Sequence, residues 1–127
     1  MDKKAKTKQF KKRLYNFVLK LIELIENLPK DRVCFIIIGD QLLRSGTSIL
    51  SNYIAEQSAS SKKDYLKYLE ISLKSTNESK VWVCILRDRD KITKEQAVWF
   101  LDKPEEIGNI FASIKRQMQY LIFNMYI

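Results

Sequence analysis

The chain has 127 residues, an ordinary hydrophobic content, and only three Gly and two Pro. This is one domain with room for a real core, and the shortage of turn residues argues against a sandwich or barrel and for a few long helices. Histidine is absent, which removes the commonest general base and the commonest metal ligand; no catalytic, metal or cofactor site is expected.

The net charge of +8 is unevenly placed. Residues 1–13 hold Lys3, Lys4, Lys6, Lys8, Lys11, Lys12 and Arg13 against Asp2 alone, while the rest of the chain is close to balanced. The protein reads as a single domain, 1–127, with a basic N-terminal arm over about residues 1–12. Such an arm either binds phosphate backbones and anionic surfaces or is a solvated tail. Cys34 and Cys84 stand alone in apolar segments, with no CxxC pair, and read as reduced core thiols of a cytoplasmic protein. No clean apolar run with a small-residue cleavage site follows the basic start, so it does not read as a secretory signal. The longest unbroken apolar run, Val33 to Ile38, is too short to cross a bilayer, and no membrane partner is expected.

A first helix is predicted from about residue 6 to Leu28, since Phe10, Leu14, Phe17, Val18, Leu21, Ile25 and Leu28 recur at steps of three and four. Pro29 ends it. A second helix is predicted from about Arg32 to Ser58, with Asp31 as N-cap. The run CFIIIG alone would suit a strand, but helical spacing continues beyond it. Gly39 and Gly46 inside this helix mark either close approach of a neighbouring helix or simple tolerance.

A third helix is predicted from about Lys62 to Arg89, with Ser61 and Asp64 as a capping pair. Tyr65, Leu69, Ser72, Thr76, Ser79, Val83 and Leu86 form one stripe on it. Tyr68, Ile71, Ser75, Glu78, Trp82 and Ile85 form a second beside the first. Two stripes predict contact with more than one neighbour. After the charged turn RDRDK, Thr93 with Gln96 caps a short helix or an early turn of the last one. Asp102, Pro104 and Glu105 look like a further helix start, with proline in its first turn. The final helix carries Ile107, Ile110, Phe111, Ile114, Met118 and Leu121. Its end, QYLIFNMYI, would be an association patch if left exposed.

Gln41, Ser45, Ser48 and Asn52 share one face of the second helix, and Ser72, Thr76 and Ser79 lie mid-stripe on the third. If these helices are antiparallel neighbours, the two polar stripes meet. Three readings follow: an internal hydrogen-bond network setting helix register, a subunit-interface network, or a ligand site. The first is preferred, because no histidine is present to activate a serine. Gly39, Gly46, Thr47 and Ser48 only superficially suggest a phosphate loop, which would need a lysine and a preceding strand.

The segments LLRSGTSILSNYIAE and SKKDYLKYLEISLKSTNESKVWVCIL resemble the bacterial four-helix-bundle family of proteins encoded by intervening sequences in 23S ribosomal RNA genes. The signature positions are Arg44, Ser45, Ser48, Asn52, Glu78 and Trp82, together with the pair Asp64–Tyr65. The resemblance covers roughly residues 10 to 120. The family's glutamate, three residues after the Asn, falls at Ala55 here, with Glu56 next. What the resemblance implies is an all-α, antiparallel up-and-down four-helix bundle, a homo-oligomer that is pentameric in close relatives, and no enzymatic activity. It extends to the accessory variability determinant of diversity-generating retroelements, a basic pentamer that binds nucleic acid. The expected function is binding of RNA or DNA through Lys3, Lys4, Lys6, Lys8, Lys11, Lys12 and Arg13, with Lys115 and Arg116 as weaker candidates. The alternative is a protein-interaction scaffold.

Overall fold

In a computed structural model, which describes residues 2–125, the chain forms four long helices in an up-and-down bundle. They are α1 (Lys3–Glu26), α2 (Gly39–Gln57), α3 (Lys62–Asp88) and α4 (Lys94–Asn124). A π-helical segment, Arg32–Ile38, leads directly into α2. The connections at 27–31, 58–61 and 89–93 are too short to cross the bundle, so successive helices run antiparallel.

The caps follow from sequence. Asp31 accepts the Cys34 N–H at 2.8 Å, and Ser61 accepts the Asp64 N–H at 3.1 Å. Thr93 and Gln96 form a reciprocal capping box. The Ser61 cap is one-sided, because the Asp64 carboxylate instead takes the Ser60 hydroxyl at 3.0 Å. At the end of α3, Asp90 adopts φ 56° and the Lys91 N–H reaches back to the Leu86 carbonyl, closing the helix with a left-handed turn.

Three expectations are corrected. First, α1 begins at Lys3, capped by Asp2, rather than at about residue 6, so the basic segment is helical, and Phe10 is already in the core. Second, residues 32–38 are π-helical rather than α-helical. The Gly39 N–H donates to the Cys34 carbonyl, five residues back, and this wider turn holds Cys34 and Ile38 inward while Val33, Phe35, Ile36 and Ile37 face out. Third, Pro104 starts no new helix. It lies inside the continuous α4 and is buried on the same stripe as Phe100, Ile107 and Phe111. Burial of the ring in the core offsets the ladder hydrogen bond that proline cannot make to Phe100.

One core joins all four helices, built on Leu14, Phe17 and Leu21 of α1, Leu42 and Ile49 of α2, Leu69, Val83 and Leu86 of α3, and Ile107 and Phe111 of α4. The helix α3 packs against both α2 and α4, as its two stripes predict. Gly46 lets α1 approach α2, for a methyl group there would collide with the Leu21 side chain, itself fully buried. Cys34 is buried and Cys84 half-buried, both as free thiols. The segment Arg32–Gln57 is long and apolar enough, by length and composition, to cross a membrane; here one of its faces is buried against α1 and α3 and carries the bundle core.

Candidate nucleic-acid interface

The serine-rich stretch resolves into a seam between α2 and α3. Ser45 Oγ and Ser79 Oγ lie 2.8 Å apart, Ser75 donates to Ser48 Oγ at 2.8 Å, and Ser72 donates to the Ile49 carbonyl at 3.2 Å. As the α2 numbers rise the α3 numbers fall, so these bonds fix an antiparallel register. Asn52 closes the set by donating to the Ser48 hydroxyl and carbonyl, each at 3.0 Å. Thr76 turns inward to its own helix, bonding the Ser72 carbonyl at 2.7 Å.

Proton counting assigns the donors. Ser79 gives its hydrogen to the Ser75 carbonyl at 2.9 Å, so Ser45 donates to Ser79, and its 3.2 Å contact with the Leu42 carbonyl is secondary. Every hydroxyl of this seam is engaged within the chain, so it functions as a register device. Ser75, placed on the second stripe from sequence, belongs to it as fully as Ser72 does. Around its rim, Arg44 meets Gln41 Oε1 at 2.8 Å and Glu78 Oε1 at 3.9 Å, an exposed pair of small energetic weight. Trp82 lies half-buried, with its indole nitrogen shielded from solvent and unpartnered among the described residues.

Glu56 is the residue that sequence reasoning left without a role. It is 1% exposed and its Oε2 has no partner among the described residues. Burial pushes its carboxyl up to about 7, tempered by the Tyr65 hydroxyl, and burial together with Glu56 in turn raises Tyr65. Its position was visible in the spacing, for Leu42, Ile49, Tyr53 and Glu56 form one buried stripe. Among the described residues, no cluster of three or more Cys, Asp or Glu side chains could hold a metal ion.

One end of the bundle carries a cluster of exposed cations. Lys3, Lys4, Lys6, Lys8, Lys11, Lys12 and Arg13 are all exposed on the first turns of α1, and among the described residues none forms an ion pair. Lys4, Lys8 and Lys11 continue at helical spacing into Tyr15, a residue 54% exposed. Edge contacts of Phe10 with Tyr53 and Phe111, at ring distances of 5.1 and 5.5 Å, place the end of α2 and the later turns of α4 at this same end. Lys115 and Arg116 therefore lie near the basic start of α1, although Lys115 is partly neutralised by Glu70 at 3.7 Å. The antiparallel topology also brings in Lys62, Lys63 and Lys67, all exposed at the start of α3. Sequence reasoning passed over these three because nearby acids balance them along the chain.

A helical bundle with a polar register seam and a cationic end is thus the class of protein defined here. The family model described as 23S rRNA-intervening sequence protein matches residues 6–113, and the chain belongs to that family. A crystal structure of a protein of unknown function from the S23 ribosomal protein family of Bacteroides thetaiotaomicron is similar, with 31% identity and a TM-score of 0.77 over 83% of this chain and 96% of that one. Among curated proteins none matches.

Proposed function

We propose that this is a non-enzymatic, cytoplasmic, homo-oligomeric bundle that binds nucleic acid through the first turns of α1. The observation that carries the reading is the set of seven exposed cations on a preformed helix, none of them in an ion pair among the described residues. Order in that segment lowers the entropic cost of binding compared with a loose tail. Association is supported by two exposed apolar surfaces, Val33, Ile36 and Ile37 beside Val81 and Ile85, and the α4 end with Tyr120, Leu121 and Phe123. Distinct patches on one chain suit a head-to-tail ring, in keeping with the pentamer that the resemblance implies. A ring repeats the cationic end in every subunit, so phosphate binding gains from multivalency and falls steeply with salt.

Native mass spectrometry and electrophoretic shift of short RNA and DNA test this reading. The expected result is an oligomer with salt-sensitive binding, lost when Lys4, Lys8, Lys11 and Lys12 are changed to Gln. Binding that is undetectable at low salt, or unaltered by those four changes, overturns it. The α4 end favours a second reading, a protein scaffold. That reading would be supported by a single protein partner that survives nuclease treatment and is lost on changing Leu121 and Phe123 to Ser. Met125 completes the described part of this surface, and residues 126 and 127 of the QYLIFNMYI segment lie outside the described residues.

A further inference from the structure

The bundle is sealed between α2 and α3 but not between α1 and α4. A groove of about 400 Å³ runs along that seam, within the size range of small-ligand sites. Trp99 is its aromatic plate. Phe17 backs the indole in a near-parallel stack at 6.2 Å and 19°, and Phe100 meets it edge-on at 4.7 Å, so the ring is held in one plane while remaining only half-buried.

Cations stand along the rim. Arg13 and Lys20 come from α1, and Lys103 from α4 lies 5.9 Å from the indole centroid. The acid lining the groove is Glu23, while Glu106 holds Lys103 at 3.3 Å from outside it. Lys6, Arg13 and Lys20 recur every seven residues, on one flank of α1 at roughly 10 Å intervals. They make a cationic track from the basic end into the groove.

An apolar peptide would need no such track, and a small inorganic anion would need no aromatic plate. A nucleotide needs both. We propose that the groove takes an unpaired nucleotide of a single-stranded nucleic acid, its base against Trp99 and its phosphates on Arg13 and Lys20. Asn16 and Glu23 are left to meet the base edge and the sugar hydroxyls. A duplex, with its bases stacked inside, can use the track but not the plate. This rests on the nucleic-acid reading above and adds to it a preference for unpaired strands.

The test is a titration of the full-length protein against a fluorescently labelled short single-stranded RNA and the matching duplex. The native protein is expected to prefer the single strand, with quenching of its tryptophan emission. Trp99→Leu should weaken single-strand binding about tenfold and leave duplex binding unchanged, whereas Trp99→Phe, which keeps an aromatic face, should retain most of the affinity. The emission left in Trp99→Leu, from Trp82, should not respond. Equal affinity for both forms, absence of quenching, or an unaltered strand preference in Trp99→Leu overturns the groove while leaving the basic helix as a binding element. No binding of either form overturns both. Should Trp99→Leu fail to fold by circular dichroism, the native quench, the native strand preference and the retained affinity of Trp99→Phe decide the matter.

Discussion

The two long seams of this bundle are built from opposite materials. Between α2 and α3, small side chains bring the backbones together and each hydroxyl finds a partner inside the chain. Between α1 and α4, large side chains hold the helices apart and leave an aromatic and cationic groove. The first arrangement fixes how the helices align and engages its hydroxyls inside the chain. The second leaves charged groups at the rim and Trp99 half-buried in the groove wall, with the Lys103 ammonium over its ring. A stripe of serines looks more like a site than a stretch of lysine and tryptophan does, yet hydrogen-bond accounting reverses that impression.

The largest expected effect comes from Glu56, at the end of the closed seam. Its unfolded carboxyl titrates near 4.5 and its folded one near 7. Between those values the folded chain keeps a proton at Glu56 that the unfolded chain has lost, so this group's contribution to stability is greatest below about 4.5, declines as pH rises towards 7, and is lowest above it. The full difference is on the order of 3 kcal/mol. Glu56→Gln should flatten this profile and exceed the native protein in stability at pH 8, as read by urea unfolding across pH. A native profile that is flat from pH 5 to 8 would mean the carboxyl is already solvated or paired.

Next in size is a wedge between α1 and α2. Gly46→Ala drives a methyl group into the buried Leu21 side chain, and should cost about 1–3 kcal/mol in chemical unfolding. Breaking the seam itself should cost less. Ser79→Ala leaves Ser45 with only its long contact to Leu42, a loss of about 1–2 kcal/mol. Adding Ser45→Ala removes the orphaned hydroxyl as well, so the double variant should be less destabilised than the sum of the two single variants. A double-mutant cycle measures that coupling, and strict additivity would remove the seam's claim to act as a unit.

Much of this architecture was readable in the residues. Four helices, three side-chain caps and the meeting of the two polar stripes all follow from spacing and from the few residue types that cap helices. What escaped were features depending on a third body. Pro104 reads locally as a start, and only the core beneath α4 makes it an interior residue. The π turn depends on which of Val33 to Ile38 must face inward, a choice periodicity cannot make within an unbroken apolar run. The cationic end is dispersed along the chain, and topology alone assembles Lys62, Lys63 and Lys67 with α1. The groove at Trp99 was hidden for the same reason, since Arg13, Lys20 and Lys103 come together only when the first and last helices do.

The smallest expected effect on stability is also the sharpest test of the contrast. Arg13 and Lys20 are exposed on α1 and form no ion pair among the described residues. Arg13 does lie 6.0 Å from the Phe10 ring, an interaction of modest weight at an exposed site. Changing both to Ala should therefore shift unfolding by no more than about 0.5 kcal/mol, since surface substitutions away from special features are nearly neutral. Their removal from the groove should nonetheless weaken nucleic-acid binding and reduce its salt dependence, because a phosphate that is no longer neutralised keeps its condensed counterion. A seam built for folding behaves in the opposite way: its variants lose stability first and binding only as a consequence. If the Arg13 and Lys20 variant proved markedly unstable, the α1–α4 seam would be a second structural seam after all, with its cations serving the bundle and not a ligand.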